Sequence, residues 1–214
     1  MRRLALALTL ALAASACGTR PPLAPPPDVS EEVGAAPPRI AGIELPRLPI
    51  DVTPEDPALR EGWSLATQAL TMSAPRPPAG EPWEIETWAD DALADWMRRR
   101  AEIIAAAQRA LEGARQGRPD HSVVASTLLG LAYARFAMDL RGLETPETFR
   151  DDPERASAYR AAMESAARPL WQRALDAFGS CASVANGEPA HGLGRWRERC
   201  DREGREASSM LEDG

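Results

Sequence analysis

The chain has 214 residues, 44% of them hydrophobic, with a formal net charge of −7, which is material for one ordinary core and too little for a second full-sized domain. All 25 basic residues are arginine, so no lysine exists to form a Schiff base or grip a phosphate, and GC-rich coding is the simplest source of that bias. Two histidines, three cysteines and no glycine-rich phosphate loop leave little for most chemistries that a sequence reveals.

Met1-Arg2-Arg3 precedes the apolar run Leu4 to Ala14 and then Ser15-Ala16-Cys17, the order of a secretory signal peptide. About 11 apolar residues fall short of the ~20 that span a bilayer, so cleavage is expected. Ala14-Ser15-Ala16 suits ordinary signal peptidase. Ala14-Ser15-Ala16-Cys17 resembles a bacterial lipobox, with Ala14 where that motif prefers leucine, and both readings cut before Cys17. The lipoprotein resemblance implies a signal peptide over 1–16 and a diacylglyceryl thioether plus an N-acyl chain on Cys17. Each buried methylene contributes ~0.8 kcal/mol, so two or more chains anchor stably. Gly18 stands where an Asp retention signal would, which by the same resemblance implies the outer membrane, facing the periplasm or the extracellular surface. With Cys17 acylated, Cys181 and Cys200 remain as one pair. A bridge between them would close a loop of about 20 residues and contribute ~3 kcal/mol in an oxidising compartment; the alternative is two unrelated buried thiols. Loss of Arg2 and Arg3 with the leader takes the net charge from −7 to −9, which argues against nucleic acid and against electrostatic adhesion to anionic headgroups.

Fifteen of the 20 prolines fall in residues 1–82. Gly18 to Thr53 holds Pro21-Pro22, Pro25-Pro26-Pro27 and Pro37-Pro38 without hydrophobic periodicity, and this stretch would reach ~110 Å if polyproline-like and ~35 Å as a coil, so residues 17–55 are expected to be a disordered Pro-rich linker. Helices are expected after it. Asp56-Pro57 offers a cap and a first-turn proline, with Leu59, Trp63, Ala66 and Leu70 recurring at helical spacing up to Pro75. Beyond the loop Arg76 to Pro82, the stripe Ala89, Ala92, Leu93, Trp96, Ile103, Ala107, Leu111 and Ala114 predicts a long helix stopping near Gly117.

Asp120 is expected to cap a third helix to about Arg141. Val124, Leu128, Leu131 and Met138 form one stripe there and Leu129, Tyr133, Phe136 and Leu140 another, which makes this helix central. Ser126, Gly130 and Ala134, four apart, are small enough to admit a neighbouring backbone. Asp152-Pro153 repeats the cap-plus-proline start for a helix of over 30 residues carrying Ala156, Tyr159, Met163, Ala166, Leu170, Ala174, Ala177, Cys181 and Val184, with a kink expected at Pro169 and an end at Asn186-Gly187. A last helix from about Leu193 places Trp196, Cys200, Ala207 and Met210 on one side. Cys181 and Cys200 thus lie on core-facing stripes, as a bridge between antiparallel neighbours requires. No strand pattern is expected anywhere.

Leu129-Gly130-Leu131-Ala132-Tyr133 resembles the first helix of a tetratricopeptide repeat (TPR), with Ser126 at that family's tryptophan position. Trp96, Leu129-Gly130 with Phe136, Phe178 followed by Cys181 and Ala185, and Trp196 followed by Cys200 look like TPR-like modules of envelope and gliding-associated proteins of myxobacteria. That resemblance implies a helical protein-interaction module of an envelope assembly with its two cysteines paired, and it supplies no catalytic residue.

Other constellations have simpler readings. Asp120-His121-Ser122 puts triad residue types in a row, but adjacent side chains do not converge, and a helix cap with exposed neighbours explains them. Cys181, His191 and Cys200 are too loosely spaced for a structural zinc site, so the disulfide is preferred. Asp91 and Asp95 lie one turn apart with Arg98 and Arg99 next along, as surface ion pairs do. Arg100 interrupts the apolar stripe and must snorkel or meet a buried carboxylate. Glu144, Glu147, Asp151, Asp152 and Glu154 lack the spacing of a calcium loop. Trp63, Trp96, Trp171 and Trp196 read as core, and Trp83 and Trp88 as candidates for partner contact.

The expectation is therefore an all-α, TPR-like bundle of about five main helices over residues 56–212, acting as a non-catalytic interaction or scaffold module. Its partners would be the membrane, through lipidated Cys17, and envelope proteins; no cofactor, metal or nucleic acid is expected, and oligomeric state is unreadable. The alternatives are a periplasmic enzyme without a recognisable motif and a binder of an apolar ligand between the helices.

Overall fold

The computed structural model describes residues 38–49, 52–188 and 192–212. The leader, the lipobox, Cys17, His191 and the linker up to residue 37 lie outside them. The described residues form an all-α bundle: α1 (Arg60–Thr71), α2 (Pro82–Trp88), α3 (Ala94–Arg115), α4 (Pro119–Arg141), α5 (Pro153–Gly187) and α6 (Gly194–Glu212), preceded by a minute hairpin of β1 (Arg39–Ile40) and β2 (Ile43–Glu44).

Local signals set most helix starts. Pro82, Pro119 and Pro153 occupy first-turn positions, where a missing N–H costs nothing. Asp152 caps α5 as expected, its Oδ1 accepting from the Arg155 amide at 3.1 Å. Asp120 does not cap α4: the cap position lies two residues earlier, at Arg118, the helix begins at Pro119, and Asp120 sits inside the first turn. Asp56 also acts before its helix rather than on it. It accepts from Ala58 through its side chain and from Leu59 and Arg60 through its carbonyl, making a turn that precedes α1.

The expected long second helix is two helices joined by a π turn over Ala89–Leu93. Ile85, Trp88, Leu93, Trp96 and Arg100 are buried, and the five-residue step from Trp88 to Leu93 is one that α spacing cannot keep on a single face. The wider π turn absorbs it. The stripe beyond it consequently runs through Ile104, which is buried, while Ile103 is only half-buried.

α4 is the central element, packing on α1, α3, α5 and, at fewer points, α6. Every residue from Ser122 to Tyr133 is buried, as the two apolar stripes require, although Met138 is exposed. It is long and apolar enough to cross a bilayer, but most of it is enclosed by the bundle, the place of a core helix. Gly130 admits a ring rather than a backbone: a Cβ there would lie 2.5 Å from Phe178 Cε1. That vacancy seats Phe178 of α5, itself fully buried. α5 continues through Pro169 as one element, and its core side shifts onto Ala167, Trp171, Ala174, Phe178, Cys181 and Ala185.

Residues 38–49 depart from the sequence expectation on two counts. They contain strands, with Arg39 paired to Glu44 and Ile40 to Ile43 across a turn in which Ala41 and Gly42 have positive φ of 49° and 84°, a turn that needs no long alternating run. They also join the folded body, since Ile40 and Leu45 are buried in its core, as is Val52 just after them. The proline-rich composition hid these scattered apolar anchors, and the body starts well before residue 56.

Candidate functional site

The strongest concentration of buried charge is built on Arg100. Its side chain is fully buried, and Nη1 donates to Asp139 Oδ2 at 2.5 Å and to the Met72 carbonyl at 3.4 Å. The carboxylate alternative anticipated for this position is the one realised. The guanidinium carbon lies 5.4 Å from the Trp96 ring centroid and 5.1 Å from that of Phe136, and the two rings meet edge to face at 5.3 Å. Nε and Nη2 have no hydrogen-bond partner among the described residues; the aromatic faces supply an attraction of ~2 kcal/mol in such a desolvated place. Burial lowers the pKa of Arg100 from its ordinary value, and the bond to Asp139 opposes that shift.

Asp139 is shared. Its second oxygen lies 3.1 Å from Arg135 Nε, so both carboxylate oxygens are engaged by guanidinium groups. The cluster works as a clamp on the end of α1, on α3 and on α4. Asp139 also lines a surface groove of about 230 Å³ with Pro75, Pro77, Met138, Leu143 and Glu144. A second arginine clamp joins α4 to the later helices: Arg141 donates to Glu164 Oε1 at 2.6 Å and to the Met210 carbonyl at 2.8 Å.

Cys181 and Cys200 are bridged, with Cα atoms 6.1 Å apart, and both are buried. The bridge joins α5 to α6 beside α4, where the Thr127 hydroxyl donates to the Val123 carbonyl at 2.8 Å and lies 3.2 Å from Cys200 Sγ. Bridged sulfurs offer no thiolate, so the zinc alternative fails at two of its three ligands. Cys17 and His191 lie outside the described residues.

Asp120, His121 and Ser122 do not form a triad, yet they are not exposed neighbours either: Asp120 and Ser122 are buried. Asp120 Oδ2 accepts from Arg118 at 2.5 Å, and His121 Nε2 lies 3.1 Å from Asp56 Oδ2, tying the turn before α1 to the start of α4. The Ala58 amide lowers the Asp56 pKa most; burial opposes it and His121 adds to it. For Asp120, burial raises the pKa, but hydrogen bonds from Arg118 and the His121 amide outweigh it. A lowered carboxylate pKa contributes stability that is complete above the unfolded value of 3.8 and is lost as pH falls through the folded value. Asp56→Asn is thus expected to lower the thermal midpoint at neutral pH, with the gap to wild type closing as pH falls from 3.8 through the lowered folded value; calorimetry across that range checks it.

The remaining candidates are dispersed. Asp95 pairs with Arg98 and with Arg99, the latter at 2.7 Å, as surface residues do. Glu147 pairs with Arg150 and Asp152 with Arg155. Among the described residues no group of three or more His, Cys, Asp or Glu is placed to hold a metal ion. Trp96, Trp171 and Trp196 are core, Trp63 is half-buried, Trp88 is buried and Trp83 is 64% exposed. Sequence reasoning missed Asp139 and the Asp56 to His121 contact. Asp139 carried a signal, because it and Asp120 are the only carboxylates in α4. No protein-family model matches the chain, and no match is found among curated proteins or solved structures.

Proposed function

We propose that this chain is an envelope lipoprotein, held at the outer membrane by acylated Cys17, whose helical body is a non-catalytic interaction or scaffold module for other envelope proteins. The observation that carries the reading is the Cys181–Cys200 bridge. It uses two of the three cysteines and leaves Cys17, directly after the leader-like Met1 to Ala16 segment, as the odd one. A bridged pair also fits an oxidising compartment. The TPR-like part of the reading draws on Gly130 and Phe178, a small residue on one helix receiving an aromatic ring from the next. Exposed Trp83 at the start of α2 is the side chain best suited to partner contact.

Cys17→Ser tests the anchor. Metabolic labelling with a clickable fatty acid should mark the wild-type protein and not the variant, and the variant should leave the membrane fraction. Labelling that persists in Cys17→Ser overturns the assignment.

A further inference from the structure

Residues 38–49 lie at the opposite end of the described chain from the helix that holds them. Two of their carbonyls accept hydrogen bonds from α6: Arg47 O from Trp196 Nε1 at 3.0 Å and Glu44 O from Arg199 Nη1 at 2.7 Å. The segment is folded to receive them, its hairpin closed by Leu45 N donating to Pro38 O at 2.9 Å, with Ile40 and Leu45 buried. Both donors lie within about one helical turn of Cys200. α6 packs chiefly on α5, with few contacts to α4, and Cys200 is the residue that bonds it covalently to α5.

We propose that residues 38–49 are a latch closed on α6, and that the Cys181–Cys200 bridge keeps it closed. A dithiol reductant opens it. Thiolate attack breaks the S–S bond; in total two electrons and two protons pass to Cys181 and Cys200, leaving two thiols, while the dithiol becomes a disulfide. Without its covalent tie to α5, α6 lifts more readily and carries Trp196 and Arg199 away from their carbonyl acceptors, and the chain ahead of α1 gains the length of the latch. Both sulfurs are buried, so the reductant reaches them only as α6 lifts, the same motion that frees the latch. Opening of the bridge and opening of the latch therefore promote one another. This inference is independent of what Cys17 carries.

The latch contains two trypsin sites, Arg39 and Arg47, and the bundle contains internal references such as Arg109 in α3. The experiment is timed trypsin digestion of the full chain with and without a dithiol, read by mass spectrometry. Reduction should speed cleavage after Arg47 by about tenfold, because cleavage follows the local opening equilibrium, while cleavage after Arg109 stays slow. In the oxidised protein, Trp196→Phe removes the donor to Arg47 O and should also speed cleavage after Arg47, with the bridge intact by non-reducing mapping. Equal cleavage after Arg47 in both redox states overturns the proposal. So does cleavage after Arg47 that is no faster than cleavage after Arg109 in the reduced protein, which would mean that both wait on global unfolding rather than on a latch.

Discussion

Asp139→Ala is expected to cost about 3–5 kcal/mol of folding stability, the range seen when one member of a buried ion pair is removed. The reason is the partner left behind. Arg100 is fully buried with Nε and Nη2 already without hydrogen bonds to any described residue, and Asp139 supplies its shortest hydrogen bond. Without the carboxylate only the Met72 carbonyl and the two aromatic rings would face the guanidinium. Replacing both partners should behave differently. Arg100→Met with Asp139→Leu removes the charge as well as its counter-charge, and is expected to be near neutral or stabilising. Denaturant unfolding of the wild type, the single variant and the double variant measures this, and a single variant within about 0.5 kcal/mol of wild type would refute the clamp.

Removing the bridge by Cys181→Ala with Cys200→Ala is expected to cost about 3 kcal/mol on the chain-entropy account. The two cysteines are 19 residues apart, so the bridge restrains a loop of moderate length in the unfolded chain. Loss of two buried sulfurs beside Thr127 adds a packing penalty. The effect should exceed that of reducing the wild type by the packing penalty, so comparison of the variant's unfolding curve with those of the wild type with and without reductant separates the covalent contribution from the packing contribution. Curves that coincide in the two redox states would show that the bridge contributes nothing to stability.

What the sequence disclosed follows the range of the physics involved. The start of α5 was legible because Asp152 and Pro153 act on their own helix turn, and the central place of α4 was legible because its residues are apolar on more than one face. Arg100 announced that a charge on a core stripe must either snorkel or meet a buried carboxylate, and the structure realises the second. Its partner did not show itself: Asp139 is 39 positions away, and only the packing of α3 on α4 brings them together. The π turn escaped for a related reason. Helical spacing was read as unbroken, and the choice between Ile103 and Ile104 depended on one extra residue in the turn before them. Prolines dominate the composition ahead of residue 56 and mask Ile40, Leu45 and Val52, which need the helices in place before they have anywhere to go. Of the candidate site, the cysteine pair was legible from count and periodicity, but not Thr127 beside it.

The contact of Trp196 and Arg199 with the first described segment also sets an order of events during synthesis. Arg47 and Trp196 are 149 positions apart, so in any N-to-C emergence of the chain the hairpin is out long before its partner helix follows. In vectorial folding it has to wait, with Ile40 and Leu45 uncovered, until almost the whole polypeptide has emerged, and its docking completes the core. A chain truncated ahead of α6 would consequently present a sticky N-terminal edge, a natural target for a holding chaperone.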